Sequence, residues 1–388
     1  MSAHARLRHV VIGVGAGVFK LHRPMLQQDH VELVGVSDVN ADLGRQRANE
    51  LGCPVYADHR AMLAETHPEV AVVLTPHPLH APIAIDCLEA GCHVLVEKPI
   101  AVQVSEADAM IEAAAQLGRL LAVNLQHRFR PEVRAAYQLI QRGFLGQIQR
   151  VELVSVWTRT ASYYRLGSWR GTWAGEGGGV LMNQAPHHLD LLCHLAGQPK
   201  RVVAWTRTLL HEIETEDTAV AMMEWPGGAL GVLHASTAEV GEPERLEIAG
   251  TRGILRIDHG DVTFQEAETD LRAFVAECPE PFAALILRPA PVERGPGTGD
   301  HEAVYRNFHQ AIYEGTPLMA DGAEARMSLE LANAMIYSSF AHREVELPLD
   351  RGAYAALLDD LKASRVLASQ TGLRESSVAM VGGGDGSA

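Results

Sequence analysis

The chain has 388 residues, 47% of them hydrophobic and 21% charged, with a formal net charge of -15. That length allows two domains of ordinary size, and an acidic balance with no basic stripe argues against nucleic acid or an anionic membrane surface as a partner. Cys53, Cys87, Cys92, Cys193 and Cys278 are scattered and lack CxxC spacing, which argues against a disulfide framework or a zinc ribbon, and no run reaches the ~18 apolar residues of a membrane helix. The first eight residues lead straight into a strand without a signal-peptide apolar stretch, so the expectation is an unexported, cytoplasmic protein.

Val10-Val11-Ile12 reads as a short strand, followed directly by Gly13-Val14-Gly15-Ala16-Gly17. Glycines at a strand-to-helix turn let the backbone approach a pyrophosphate, although a full GxGxxG would need glycine where Val18 stands. A helix to about Asp29 and a strand over Val31 to Ser37 follow, ending at Asp38. A carboxylate there can bind the adenosine ribose and repel a 2'-phosphate, which favours NAD over NADP; the alternative role is the N-cap of a helix over Ala41 to Leu51.

Strand and helix go on alternating. A strand over Val70 to Leu74 ends in Thr75-Pro76 and is followed by a helix over Ala81 to Ala90. The apolar run Cys92 to Val96 ends in Glu97-Lys98-Pro99, which places Lys98 at the carboxyl end of a buried strand, the edge where open α/β sheets bind ligands. A helix over Ser105 to Leu117 and a strand over Leu120 to Leu125 complete an expected doubly wound Rossmann domain over residues 1–128.

After Arg130-Pro131 and a helix to Arg142 the pattern changes to successive strands: Ile148 to Thr160, Arg201 to Leu210, Thr218 to Trp225, Ala229 to Ser236, Arg245 to Ala249 and Gly253 to Ile257. Strands without intervening helices predict a largely antiparallel, open-faced sheet in an α+β domain over residues 129–370, with late helices over Glu302 to Tyr313 and Ala323 to Phe340. Residues 371–388, rich in glycine, are expected to be a disordered tail.

Glu176-Gly177-Gly178-Gly179 leads into a mainly helical stretch from Val180, which Pro186 can break or kink. Asn183 and His187 are four apart and His187 and Asp190 three apart, so the three can share one helical face. His187, His188, Asp190 and His194 also suit a zinc ion, and a histidine merely satisfied on a polar face is the bland alternative. The catalytic reading is that His187, with an ordinary pKa near 6.5, takes an alcohol proton near neutrality.

Together, the glycine turn with His22 and Pro24, Thr75-Pro76 with His80, Glu97-Lys98-Pro99, Arg128-Phe129, and the triple glycine with Asn183, His187 and Asp190 resemble one family. It is that of glucose-fructose oxidoreductase, inositol dehydrogenase and the rhizopine catabolism oxidoreductases, and the likeness runs from about residue 8 to about 350. The resemblance implies a nicotinamide and a substrate meeting between the two domains, with oxidation or reduction of a secondary alcohol or ketone on a sugar, anhydrosugar or cyclitol. It implies Lys98 as the catalytic lysine and His187 as the catalytic histidine. It implies a cofactor site lined by Gly13, Gly15, Ala16, Gly17, Val18, Asp38, Thr75, Pro76, His80, Glu97 and Lys98. The chain departs from the family at Asn183, where many dehydrogenases have aspartate.

Gln126, Arg159, Tyr163, Trp169, Arg170 and Trp173 are candidate walls of a polyol site beside Asn183 and His187. Two other functions stay open at this point: a glycoside-cleaving enzyme that uses bound NAD transiently, and a non-catalytic nucleotide sensor. An open sheet face needs a cover, so a homodimer or homotetramer is expected.

Overall fold

The computed structural model describes residues 5–15, 17–241 and 244–371. Ala16 and the expected tail beyond residue 371 lie outside the described residues. The first sheet contains β1 (Leu7–Ile12), β2 (Val31–Ser37), β3 (Val55–Tyr56), β4 (Val70–Val73), β5 (His93–Val96) and β6 (Leu121–Val123), all parallel, in the order β3-β2-β1-β4-β5-β6. Every residue of β4 is fully buried, because helices cover both faces of a parallel sheet. The strand order reverses between β1 and β4, the position where such sheets open a crevice at their carboxyl edge.

Local chemistry sets the helix ends. Asn40 caps the helix Ala41–Leu51 by accepting from Leu43 N, and Gly52 ends it in the left-handed region. The helix Val104–Leu117 starts with a reciprocal Gln103/Glu106 capping box and stops at Gly118, also left-handed.

The second sheet has nine strands: β7 (Ile148–Val156), β8 (Arg201–Arg207), β9 (Thr218–Glu224), β10 (Leu230–Ser236), β11 (Glu244–Gly250), β12 (Gly253–Asp258), β13 (Asp261–Ala267), β14 (Leu287–Ala290) and β15 (Val345–Glu346). Their order is β14-β13-β12-β11-β7-β10-β9-β8-β15, antiparallel except for the parallel pair β7 and β10. The helices Pro186–Ala196 and Gly322–Ala341 cover one face. On the other, alternate residues stand in solvent, among them Trp205, Met222 and Leu230, at 50%, 55% and 59% exposure. The open face is therefore mixed, with these apolar side chains beside the charged cluster of Arg150, Glu152, Glu247 and Arg256.

Two elements cross the linear order. The helix His301–Glu314 packs Val304, Tyr305 and Phe308 against Leu7, Val11 and Phe19 of the first sheet's layer, and the helix Arg351–Thr371, which buries Tyr354 and Leu358, closes the second. No helix among the described residues is long and apolar enough to cross a membrane, and all five cysteines are free.

Candidate active site

A cleft of about 670 Å³ opens at the carboxyl ends of the first sheet's strands and runs from Gly13, Gly15 and Asp38, past Thr75 and Pro76, to Lys98, Trp169, Arg170 and Asn183. Gly13 has φ +91, and a Cβ there would stand 2.9 Å from Leu74 C and Thr75 N, so only glycine lets β1 turn this closely over β4. Asp38 accepts from Gly15 N at 2.7 Å and Asn40 N at 2.8 Å, which ties the glycine turn to the end of β2. Asn40 is the helix cap, not Asp38. A Cβ on Gly17 would meet nothing within 4 Å, and Val18, in place of a third glycine, stands at the N-cap of the next helix without a side-chain cap bond. The turn, a carboxylate at the end of β2, and a buried, unpartnered Thr75 hydroxyl suit a dinucleotide.

Lys98 lies at the far end of this cleft. Its Nζ donates to the carbonyl of Asn183 at 2.8 Å, a bond that joins the first domain to the triple-glycine segment of the second. The Glu97 carboxylate lines the cleft but is turned inward: it accepts from His22 at 2.8 Å and from Asn124, and it receives Lys98 N at 3.2 Å. It braces the lysine turn rather than offering a free ligand to a cofactor. His80 is likewise committed, with its ring nitrogens 2.8 Å from the carbonyls of Pro99 and Thr75. It clamps the loop after β4 to the lysine turn.

The stretch after the glycines is two helices, Val180–Asn183 and Pro186–Ala196, not one. The break moves Asn183 off the helix that carries His187, so the shared face expected from their spacing is absent. Asp190 is fully buried and pairs bidentately with Arg128 at 2.6 and 2.8 Å, far from any role beside His187. Gly179 sets where the first helix begins, since a Cβ there would come within 1.8 Å of the carbonyl oxygen of Glu216. His187 is stacked on His127, ring centroids 4.2 Å apart, and Gln126 Nε2 donates to its Nε2 at 3.4 Å. Its Nδ1 is buried without a partner.

Tyr163 organises the outer wall. Its hydroxyl receives Arg170 at 2.6 Å and Gln184 at 3.1 Å, and donates to Asn183 Oδ1 at 3.2 Å. Arg170 lies over the rings of Tyr163 and Trp169, and Arg159 over those of Trp157 and Tyr163. Trp173 does not join them. It is 5% exposed and packs edge-on against Phe340, so it belongs to the core.

The electrostatics follow from burial. His187 is driven well below its ordinary 6.5, first by burial and then by His127 and Lys98, which leaves its ring neutral. Lys98 is lowered from 10.5 by burial, against the pull of Glu97 and Glu176. Glu176, 1% exposed, is raised by burial.

Residues 7–125 match a profile described as an oxidoreductase family with an NAD-binding Rossmann fold, and residues 133–256 match the GFO/IDH/MocA C-terminal domain. The chain belongs to the Gfo/Idh/MocA oxidoreductase family. It is 26% identical over 350 residues to levoglucosan dehydrogenase of Pseudarthrobacter phenanthrenivorans, covering 81% of this chain and 89% of that one. It is 25% identical over 263 residues to myo-inositol 2-dehydrogenase of Thermotoga maritima, covering 65% and 75%. The WlbA dehydrogenase of Chromobacterium violaceum, solved with NADH and UDP-GlcNAcA, superposes with a TM-score of 0.77 at 28% identity, over 90% of this chain and 98% of that one. The protein is thus an NAD-binding oxidoreductase of a family that includes sugar and cyclitol dehydrogenases.

Within that family its departure at Asn183 has a local counterpart. Asn183 Nδ2 donates to Glu176 Oε1 in a very short contact, and Gly171 N donates to the other oxygen at 2.5 Å. A carboxylate therefore does stand beside position 183, supplied by Glu176, to which its sequence context assigns no role. The metal alternative meets a different arrangement. His194 stacks on Tyr137, while His188 turns to Ser155 and Glu244. His127, His188 and Glu244 do converge, but Arg130 donates to both His127 and Glu244, so a fixed cation already neutralises that group.

Proposed function

We propose that the protein transfers a hydride between a secondary alcohol of a sugar, anhydrosugar or cyclitol and a nicotinamide, with Lys98 and His187 as the catalytic pair. The observation that carries this reading is the bond from Lys98 Nζ to Asn183 O, which fixes an ammonium where the dinucleotide cleft meets the second domain's polar wall. Bound NAD supplies the hydride acceptor. Gly13 and Gly15 let the backbone approach its phosphates, and Asp38 takes the ribose hydroxyls and disfavours a 2'-phosphate.

A hydroxyl gives up hydride more readily as it loses its proton. His187, kept neutral by burial and neighbouring cations, is the group that accepts that proton, and Lys98 stabilises the developing alkoxide. Asn183 cannot ionise and acts as a hydrogen-bonding group held by Glu176 and Tyr163. Gln126 orients His187; Trp169 and Arg170 face the substrate, and Tyr163 backs them through its bond from Arg170. The exposed apolar side chains of the second sheet's open face, Trp205, Met222, Leu230 and Val232, are where a second copy packs, giving a homodimer or homotetramer; sedimentation of a Met222→Lys variant as a monomer tests this.

The test of the activity follows reduced-nicotinamide absorbance with NAD and NADP separately, across pyranoses, anhydrosugars, inositols and glycosides. Net reduction with a free polyol, abolished in Lys98→Met while NADH binding persists, is expected. Glycoside cleavage without net NADH would establish transient use of the cofactor instead, and a fully active Lys98→Met would remove the lysine from the mechanism.

A further inference from the structure

Arg159 is the exception among the arginines of this protein. Every other described arginine that is buried or half-buried lies against a carboxylate, as Arg128 does on Asp190, Arg130 on Glu244 and Arg170, at 3.7 Å, on Glu176. Arg159 is half-buried and meets no carboxylate among the described residues. Its Nε is buried without a partner, and Nη1 reaches only the carbonyl of its neighbour Thr158, at 3.3 Å. Its guanidinium stands 5.2 Å from the Trp157 ring centroid and 5.1 Å from that of Tyr163.

Stripping water from a guanidinium costs free energy, and two aromatic faces return only part of it. The missing part is a counter-charge. Among the described residues no carboxylate pairs with it: Glu176 is shared by Gly171, Asn183 and Arg170, and Glu239, next to Thr158, is bound to His234. Arg159 and Arg170 both act on Lys98, so three cations stand with two carboxylates at this end of the cleft, Glu97 and Glu176, and both of those are committed to other donors. A neutral polyol does not call for that arrangement. An arginine fork with free N–H groups fits a carboxylate or phosphate bidentately, and its aromatic flanks keep the fork planar and in place.

We propose that the substrate carries an anionic oxygen substituent, a carboxylate or a phosphate ester, in addition to the alcohol that is oxidised, and that Arg159 recognises it. This rests on the dehydrogenase reading above for the identity of the cleft, and it narrows the substrate class from polyols in general to sugar acids or sugar phosphates.

The experiment is calorimetric titration of the NADH-loaded protein with D-glucuronate, D-gluconate, D-glucose 6-phosphate and D-glucose, at low and at physiological salt. At least one anion is expected to bind more tightly than glucose by roughly ten- to hundredfold. Added salt should narrow that gap. Preference for the two acids identifies a carboxylate, and preference for the ester identifies a phosphate. Arg159→Gln should erase the preference and Arg159→Lys should restore part of it, with NADH fluorescence reporting that each variant is folded. Equal binding of all four, including no binding by any, overturns the proposal, as does a preference that survives Arg159→Gln. An anion that binds through Arg159 without ever changing NAD would instead count against the dehydrogenase reading and leave this one standing. A neutral sugar turned over with no anionic preference would do the reverse.

Discussion

Asn183→Asp would turn the donor that faces Glu176 into a second anion. Two unit charges ~3 Å apart repel by about 5 kcal/mol at an effective dielectric of ~20. Taking up a proton is cheaper. A carboxyl with an ordinary pKa of 4.5 is protonated at pH 7 at a cost of at most about 3.4 kcal/mol, and burial, which already raises Glu176, reduces that cost. The variant should therefore fold with one proton shared by the pair. Lys98 and Arg170 offset part of the remaining charge, so the loss at pH 7 should be about 1–3 kcal/mol, or roughly 1–2 °C of Tm for each kcal/mol in a chain of this length.

The sign with pH is fixed by where that proton sits. The folded carboxyl pKa in the variant is raised, so the native state holds a proton that the unfolded chain releases above its ordinary 4.5. The deficit relative to wild type should grow as pH rises from 5 to 8 and shrink toward pH 5. Adding Glu176→Gln exchanges donor and acceptor and should recover most of the loss. Thermal unfolding of the wild type, both single variants and the double variant at three pH values completes the cycle. An Asn183→Asp protein as stable as wild type at pH 8, or no recovery in the double variant, would refute this account of the pair.

Other expectations follow from the same geometry. Asp190→Ala leaves the buried Arg128 guanidinium without its bidentate partner and should cost about 3–5 kcal/mol, read by urea unfolding. Because burial holds His187 below 6.5 and Lys98 below 10.5, kcat/KM for alcohol oxidation should keep its plateau to below pH 6.5, where the histidine is still neutral. The same profile should lose rate on the alkaline side before pH 10.5, as the lysine charge is lost; an acid limb centred above 6.5 would contradict the base assignment. Asp38→Asn removes the charge at the ribose end and should raise the NADP-to-NAD ratio of kcat/KM by roughly tenfold or more, measured under initial-rate conditions.

The first sheet was legible because its determinants are local. Val70–Val73 is a wholly apolar run between helical stretches, and such a run in a parallel sheet has one reading. The strands that escaped detection lack that signature. β3 and β15 have two residues each, β14 includes a proline, and β13 alternates exposed polar with buried apolar positions directly after a strand of the same kind. The helix Arg351–Thr371 escaped for a different reason: its apolar positions gain meaning only from the layer it closes.

The same distinction runs through the site. Gly13 and Lys98 could be placed from sequence because the backbone positions them: one must turn over β4, and the other ends a buried strand. Asp190 and Trp173 could not, since each is defined by a partner distant in sequence, Arg128 for one and Phe340 for the other. A helical-face argument assumes unbroken 100° steps, and the interruption between Asn183 and Pro186 resets that phase. Once reset, Asp190 faces the core and the acid beside position 183 has to come from elsewhere, which is the place Glu176 takes. Glu176 is local to the glycine run, yet its role is created by three donors that only the fold brings to it. Residue type alone does not separate Tyr163 from Trp173 or Arg159 from Arg128; what separates them is which partner the protein supplies, and Arg159 stands out because no carboxylate among the described residues pairs with it.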